Sequence, residues 1–235
     1  MYGYYYMSSA EMFVYVFLVL PAIILSIWAS FNVNSTYKKY AKVKTHSGLT
    51  SNDVVRRILD ANGLYNVRIE HISGNLTDHY DPKTNVIRLS DSTYGSDSAA
   101  AIGVAAHEAG HAVQHAVGYT PIKLRMALVP ICNIGSNLAL PLILLSFIFS
   151  IPVLAYVGLI AFGTATVFQL VTLPVEFDAS RRAIEILGNG YMSGDDLKAS
   201  KKVLTAAALT YVAALAVSLA NLLRLVVMVN SRHRD

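Results

Sequence analysis

Three long stretches without a charged side chain constrain this sequence more than any other feature. No Asp, Glu, Lys or Arg occurs from Met12 to Tyr37, from Met126 to Val175, or from Val203 to Leu223. A helix needs about 20 mostly apolar residues to cross a hydrocarbon core of about 30 Å. Each stretch is long enough to do so, and the middle one can do so twice. Charged residues make up 14% of the chain and hydrophobic residues 54%, whereas an average soluble domain is about 25% charged. An ordinary cytosolic globule and intrinsic disorder are both excluded. Cys132 is the single cysteine, which excludes a fold stapled by internal disulfides.

The spans expected are 12–31, 128–149, 153–173 and 204–224. Proline disfavours helix at the residue before it, so Ser150-Ile151-Pro152 divides the middle stretch into a hairpin with almost no loop. The residues before Met12 carry no positive charge and no Ala-x-Ala site follows the first span, which argues against a signal peptide. Tyr2, Tyr4, Tyr5 and Tyr6 fit an aromatic belt at headgroup level. Of nineteen Lys and Arg, eleven lie in 32–125 and five in 174–202. Positive loops stay in the cytoplasm, so both segments are expected there, with the tail Arg232-His233-Arg234 as a mild conflict.

Residues 45–125 read as a folded α+β domain. Thr50-Ser51-Asn52-Asp53 has the form of a capping box, and Asn62-Gly63 closes the helix it opens. Val67, Ile69 and Ile72 suggest a strand, Val86-Ile87-Arg88-Leu89 a second, and Asp78–Pro82 a turn between them. Ala99 to Val117 reads as one alanine-rich helix.

That helix contains His107-Glu108-Ala109-Gly110-His111. Histidines four apart stack on one helix face, so their imidazoles can converge on one ion. Neutral imidazole suits Zn²⁺, and Glu108 beside the pair suits a general base acting on water. His115 is eight residues from His107, about 12 Å along the axis, too far to share an ion held at about 2 Å. A metzincin would need histidine at position 117, which is valine. The third ligand is sought downstream, at Glu176, which ends the fifty-residue uncharged stretch. Asp178 competes with it, but faces about 200° away on a helix, so both cannot bind one ion.

These strings together resemble the YugP-like neutral zinc metallopeptidases of bacterial membranes. The resemblance is carried by Leu76–Pro82, Val86–Ser90, Val104–His115 and Glu176–Ala183. It implies a mainly α integral membrane protein of about four transmembrane helices with a small zincin-like cytoplasmic domain. It further implies one zinc per chain on His107, His111 and Glu176, with Glu108 as catalytic base. The chain is also similar to HtpX-type peptidases, whose ligand glutamate begins an E-F-x-A-D string. Glu176 matches that glutamate, but the final Asp falls on Ser180, so the carboxylate that would orient a ligand histidine is absent.

In zincins an edge strand before the metal helix binds substrate backbone, and Val86, Ile87, Arg88 and Leu89 occupy that place. Tyr80 and His79 are candidates for stabilising an oxyanion, with turn structure around Asp81-Pro82 as the favoured alternative. The implied activity is endoproteolysis of protein or peptide substrates at the cytoplasmic face of the bacterial plasma membrane. The competing classes are a non-catalytic zinc-binding membrane scaffold, a metal sensor, and a site-2-type intramembrane protease. The last class uses an Asp ligand in a Leu-Asp-Gly setting, and no such string occurs. The basic balance, pI about 9.1, is accounted for by anionic lipid and calls for no nucleic acid.

Overall fold

The computed structural model describes residues 8–232. The aromatic-belt tyrosines and the end of the basic tail lie outside the described residues. In chain order the elements are α1 (Ser9–Val14), a π-helical turn (Tyr15–Val19), α2 (Leu20–Tyr40), α3 (Ser51–Ala61), β1 (Arg68–Ile72), β2 (His79–Asp81), β3 (Val86–Ser90), α4 (Ala99–Ala116), α5 (Thr120–Phe149), α6 (Pro152–Gly188) and α7 (Gly194–Arg232). Among the described residues, four helical segments are long and apolar enough to cross a membrane: Ser9–Tyr40, Thr120–Phe149, Pro152–Gly188 and Gly194–Ser231. The chain is thus a mainly α membrane protein with a small α+β domain.

Two compact units emerge. The first comprises Met1–Trp28, Leu124–Thr172 and Tyr211–Asp235; the second comprises Ala29–Lys123 and Leu173–Thr210.

The first unit is built from the apolar helices. Large side chains such as Ile24, Ile148 and Ile160 stand exposed on it. In water so much exposed apolar surface would be an aggregation hazard; on a spanning helix it faces lipid. Its interior uses small residues. A Cβ on Gly158 would meet Ala139 O at 2.8 Å, and one on Gly135 would meet Ala161 O at 2.7 Å. Glycine lets these backbones approach, which is how helices associate without a hydrophobic driving force. The π turn precedes Pro21 and is closed by a Leu20 N–H bond to Tyr15 O. Proline has no N–H to donate and its ring displaces the carbonyl four residues back, so the helix widens there for one turn.

The expected hairpin break is present. Ser150 adopts φ +54° and Pro152 opens α6, where its missing N–H costs nothing. Beyond the expected ends, however, α6 does not stop at 173. It continues through Pro174 to Gly188 as one helix of 37 residues, about 55 Å long. Only about 30 Å of that fits a hydrocarbon core. The remainder of the helix carries Glu176. Similarly, α7 passes through Arg224 instead of ending there, with the guanidinium 5.1 Å from the centre of the Tyr15 ring.

In the second unit, Thr50 and Asp53 form the capping box, each side chain accepting the other's backbone N–H. Val54, Val55, Ile58 and Leu59 of α3 are fully buried against α4. The sheet has the order β1-β3-β2. β3 pairs with β1 in parallel (Arg68 with Val86 through Ile72 with Ser90) and with β2 antiparallel (His79 with Arg88, Asp81 with Val86). The segment read as a turn, Asp78–Pro82, thus contains a strand. The expectation that Val86–Leu89 forms an edge is overturned. β3 is the central strand, paired on both sides over 86–88 and mostly buried, so those backbone groups are spent inside the sheet. The free edge nearest α4 belongs to β2.

Nearly every residue of α4 is buried, including Ala99, Ala105, Ala106, Ala109 and Ala112. The sheet, α3, the extension of α6 and the start of α7 contribute to one core with it. A helix apolar on all sides is one buried on all sides. That explains the composition of α4 without placing it in lipid.

Candidate metal centre

His107 and His111 project from α4, and Glu176 from the extension of α6; all three belong to the second unit. Their donor atoms converge. His107 Nε2 lies 3.1 Å from His111 Nε2 and 3.2 Å from Glu176 Oε2, and His111 Nε2 lies 3.5 Å from Glu176 Oε2. Ligands about 2.0–2.1 Å from zinc at tetrahedral angles stand about 3.3 Å apart. The triangle therefore has the size that one zinc ion requires, and the donor set, two imidazoles and a carboxylate, is one that zinc takes. Among the described residues no other His, Cys, Asp or Glu group meets this test.

Close approach of α4 to α6 makes the triangle. A Cβ on Gly110 would meet Ala179 O at 2.9 Å, so the glycine within the histidine motif is what lets the two backbones touch. Glu176 is 1% exposed. Burial pushes its carboxyl up, but hydrogen bonds and attraction from His107 and His111 outweigh this and hold it well below the usual range. Burial likewise pushes the His111 imidazole down, yet Glu176 and the Glu108 charge leave it above 6.5. Both signs describe a site that favours positive charge between these groups.

Each imidazole is oriented from behind. Ser180 Oγ lies 3.1 Å from His107 Nδ1, and Gln114 Oε1 lies 3.0 Å from His111 Nδ1. These bonds set which nitrogen faces the ion. Gln114 is in turn fixed by donating to Val175 O (2.8 Å) and Asp178 Oδ2 (2.9 Å). Asp178 also accepts from Arg182 Nε at 2.6 Å and from Arg181. Asp178 is thus occupied as an anchor and is no part of the ligand triangle. The carboxylate expected at position 180 is replaced by the Ser180 hydroxyl. Sequence reading missed Ser180 and Gln114 as orienting groups. The signal for Gln114 was its place three residues after His111, on the same helix face.

Glu108 is 8% exposed, and its Oε2 accepts the Tyr80 N–H at 3.0 Å. Strand β2 therefore holds the glutamate of the motif. The Tyr80 hydroxyl donates to Asn85 Oδ1 at 3.1 Å and His79 Nδ1 meets Thr77 O at 2.9 Å. The Tyr80 side chain is thus engaged at the β2–β3 turn and the His79 side chain at the entry to β2. His115 lies outside the triangle, its ring 6.1 Å from that of Tyr80.

Comparison with known proteins agrees with the geometry. A family described as "Putative neutral zinc metallopeptidase" matches residues 15–230. A protein of Bacillus subtilis (strain 168), "Putative membrane protease YugP", is 47% identical over 223 residues, covering 94% of this chain and 99% of that protein. No solved structure matches the chain. With the match running through every apolar helix, the α+β domain and the His-His-Glu triangle, the chain belongs to this neutral zinc metallopeptidase family.

Proposed function

We propose that the protein is a membrane-anchored zinc endopeptidase that cleaves protein or peptide substrates at the cytoplasmic face of a bacterial plasma membrane. The observation that carries this is the triangle of His107, His111 and Glu176 with Glu108 held beside it. A sensor or storage site has no use for a buried carboxylate next to its ligands. The cytoplasmic placement rests on the Lys and Arg bias of 32–125 and 174–202.

His107, His111 and Glu176 would hold one zinc ion, which when bound polarises a carbonyl and makes water more acidic. Ser180 and Gln114 keep the two imidazoles presented through Nε2. Glu108 is the general base. The bond from Tyr80 fixes Oε2, leaving Oε1 to take a proton from the attacking water and deliver it to the departing amine. The substrate backbone would lie along the edge of β2, in place of the Val86–Leu89 segment now known to be internal. Main-chain pairing of that kind gives affinity with little side-chain selectivity. A cleft of about 480 Å³, lined by the apolar Phe177, Ile184 and Leu204 and by the charged Arg181, Glu185 and Lys201, adjoins His107 through Ser180 and offers room for a substrate side chain.

The test is zinc content and casein cleavage by the detergent-purified protein. Wild type should hold about one zinc per chain. Glu176→Ala should lose it, whereas Glu108→Gln should keep zinc and lose cleavage by a factor of about 10² or more. A Glu108→Gln protein that still cleaves removes the assigned base. A wild type that refuses zinc supports the scaffold reading instead.

A further inference from the structure

A second cavity, of about 480 Å³, lies between α2 and α7 within the second unit; it contains none of the metal triangle and meets the cleft beside Ser180 at Lys201 and Thr205. Lys39, Lys201 and Lys202 line it, together with Tyr40, Asn32 and Leu209. Lys198 also reaches it but is paired with Asp195 at 3.0 Å. Among the described residues no carboxylate pairs with Lys39, Lys201 or Lys202. Instead the ammonium groups of Lys39 and Lys202 both rest near the Tyr40 ring, at 5.5 and 5.8 Å from its centre. Three unneutralised cations around one cavity repel one another, and an anion placed among them relieves that repulsion.

The two helices also give the cavity a polarity. Along α2 the uncharged stretch runs through Asn32 and ends at Lys38 and Lys39. Along α7 the charges end at Lys202 and the uncharged stretch begins at Val203, with Leu209 two turns on. Two turns are about 10 Å. Both helices thus present cations at the boundary where a membrane helix leaves hydrocarbon; about 10 Å deeper α7 adds the apolar Leu209 and α2 the uncharged Asn32. A soluble phosphate needs only the first level. A phospholipid needs both.

We infer that this cavity is a binding site for the phosphate of an anionic phospholipid, held by Lys39, Lys201 and Lys202 with its glycerol and acyl stems running toward Leu209. Attraction to the face of the Tyr40 ring draws the Lys39 and Lys202 ammonium groups to the same place. The inference rests on the membrane reading of the helices and is independent of the zinc site. Such a lipid would tie the start of α7 to the end of α2.

The experiment is native mass spectrometry of the full-length protein released from mixed micelles containing phosphatidylglycerol or phosphatidylcholine. Wild type should retain one phosphatidylglycerol in preference to phosphatidylcholine. The triple variant Lys39→Gln/Lys201→Gln/Lys202→Gln should lose that retention by about tenfold or more. A control triple, Lys38→Gln/Lys42→Gln/Lys83→Gln, removes equal charge outside the cavity and should lower retention by clearly less than the cavity triple does. Equal loss in both triples would mean diffuse surface attraction and overturn the site. So would equal retention of the two lipids by wild type. Displacement of the lipid by millimolar inorganic phosphate would identify a soluble anion as occupant and overturn the lipid assignment. Zinc content measured on the same samples reports whether the variants have kept their fold.

Discussion

Substituting alanine for Gly110 tests whether the backbone contact between α4 and α6 sets the metal triangle. The added Cβ would sit 2.9 Å from Ala179 O and 3.4 Å from Ala179 C and Cα. These are backbone atoms in the middle of α6 and cannot swing aside. Ordinary contact at 3.4 Å or more requires the helices to part by 3.4 − 2.9 = 0.5 Å at least. Overpacking of this kind costs about 1–3 kcal/mol. Gaining alanine within a helix returns about 1 kcal/mol, so the net destabilisation should be about 0–2 kcal/mol and the protein should fold. The triangle is less forgiving. Glu176 rides on α6 three residues before Ala179, and its distances to the two imidazoles would lengthen from 3.2 and 3.5 Å. Ser180, the next residue, would draw away from His107. Losses of ligand orientation typically weaken metal binding about 10–100-fold.

The assay is zinc affinity by competition with a chromophoric chelator, alongside thermal melting of the same sample. Gly103→Ala serves as the comparison. Its Cβ would be squeezed as well, 3.0 Å from Ser200 Cβ, but Ser200 belongs to α7, which supplies no ligand. Gly103→Ala should lower the melting temperature and leave zinc affinity within about threefold, because its strain does not reach the ligands. Zinc affinity in Gly110→Ala equal to wild type would refute the claim that this contact places Glu176.

Other outcomes follow from the same geometry. Ser180→Ala removes the partner of His107 Nδ1 and should weaken zinc about tenfold or more with little change in melting temperature; unchanged affinity would show that the serine does not orient the ring. Gln114→Met, which keeps the volume, should weaken zinc further, since it strips His111 of its partner and leaves Asp178 held only by the two arginines. A pH effect is expected far from the metal, where Asp196 in the first turn of α7 accepts the backbone N–H and Nδ1 of His46 at 2.9 and 2.8 Å. The hydrogen bond to Asp196 raises the His46 imidazole above 6.5; burial pushes the Asp196 carboxyl up, but the bonds from His46 leave it below 3.8. The raised histidine contributes fully below its unfolded value and loses its contribution as pH rises through its folded value; the depressed aspartate does the reverse on the acid side. Hydrogen-exchange protection of the second turn of α7, whose N–H groups bond back to the first, should therefore be greatest between about pH 4 and 6.5, and His46→Ala should abolish its decline above that range. Protection that stays level from pH 6 to 8.5 in wild type would contradict the linkage.

The sequence by itself determined everything that depends on local pattern. Uncharged runs at 12–37, 126–175 and 203–223 announced the apolar helices, because each needs only enough consecutive apolar residues to span. The capping box at Thr50 and the four-residue spacing of His107 and His111 are likewise properties of one turn of chain. Glu176 was reachable for a different reason: it is the first charge after a hairpin that must return to the side it left.

The tertiary structure decided what depends on neighbours from elsewhere in the chain. Whether Val86–Leu89 is central or edge is fixed by β2, a three-residue strand whose pattern is hidden under turn chemistry at Asp81-Pro82. The end of α6 and the start of α7 lie well beyond the apolar runs, because both are stabilised by packing with α4 and not by lipid. Ser180 became an orienting group only when α6 came against α4 at Gly110, and the same approach supplies Val175 and Asp178, which fix Gln114. Sequence spacing can place two ligands on one helix face; the third ligand and its supports required that two backbones meet, and a contact between residues 69 apart in the chain leaves no periodicity to read.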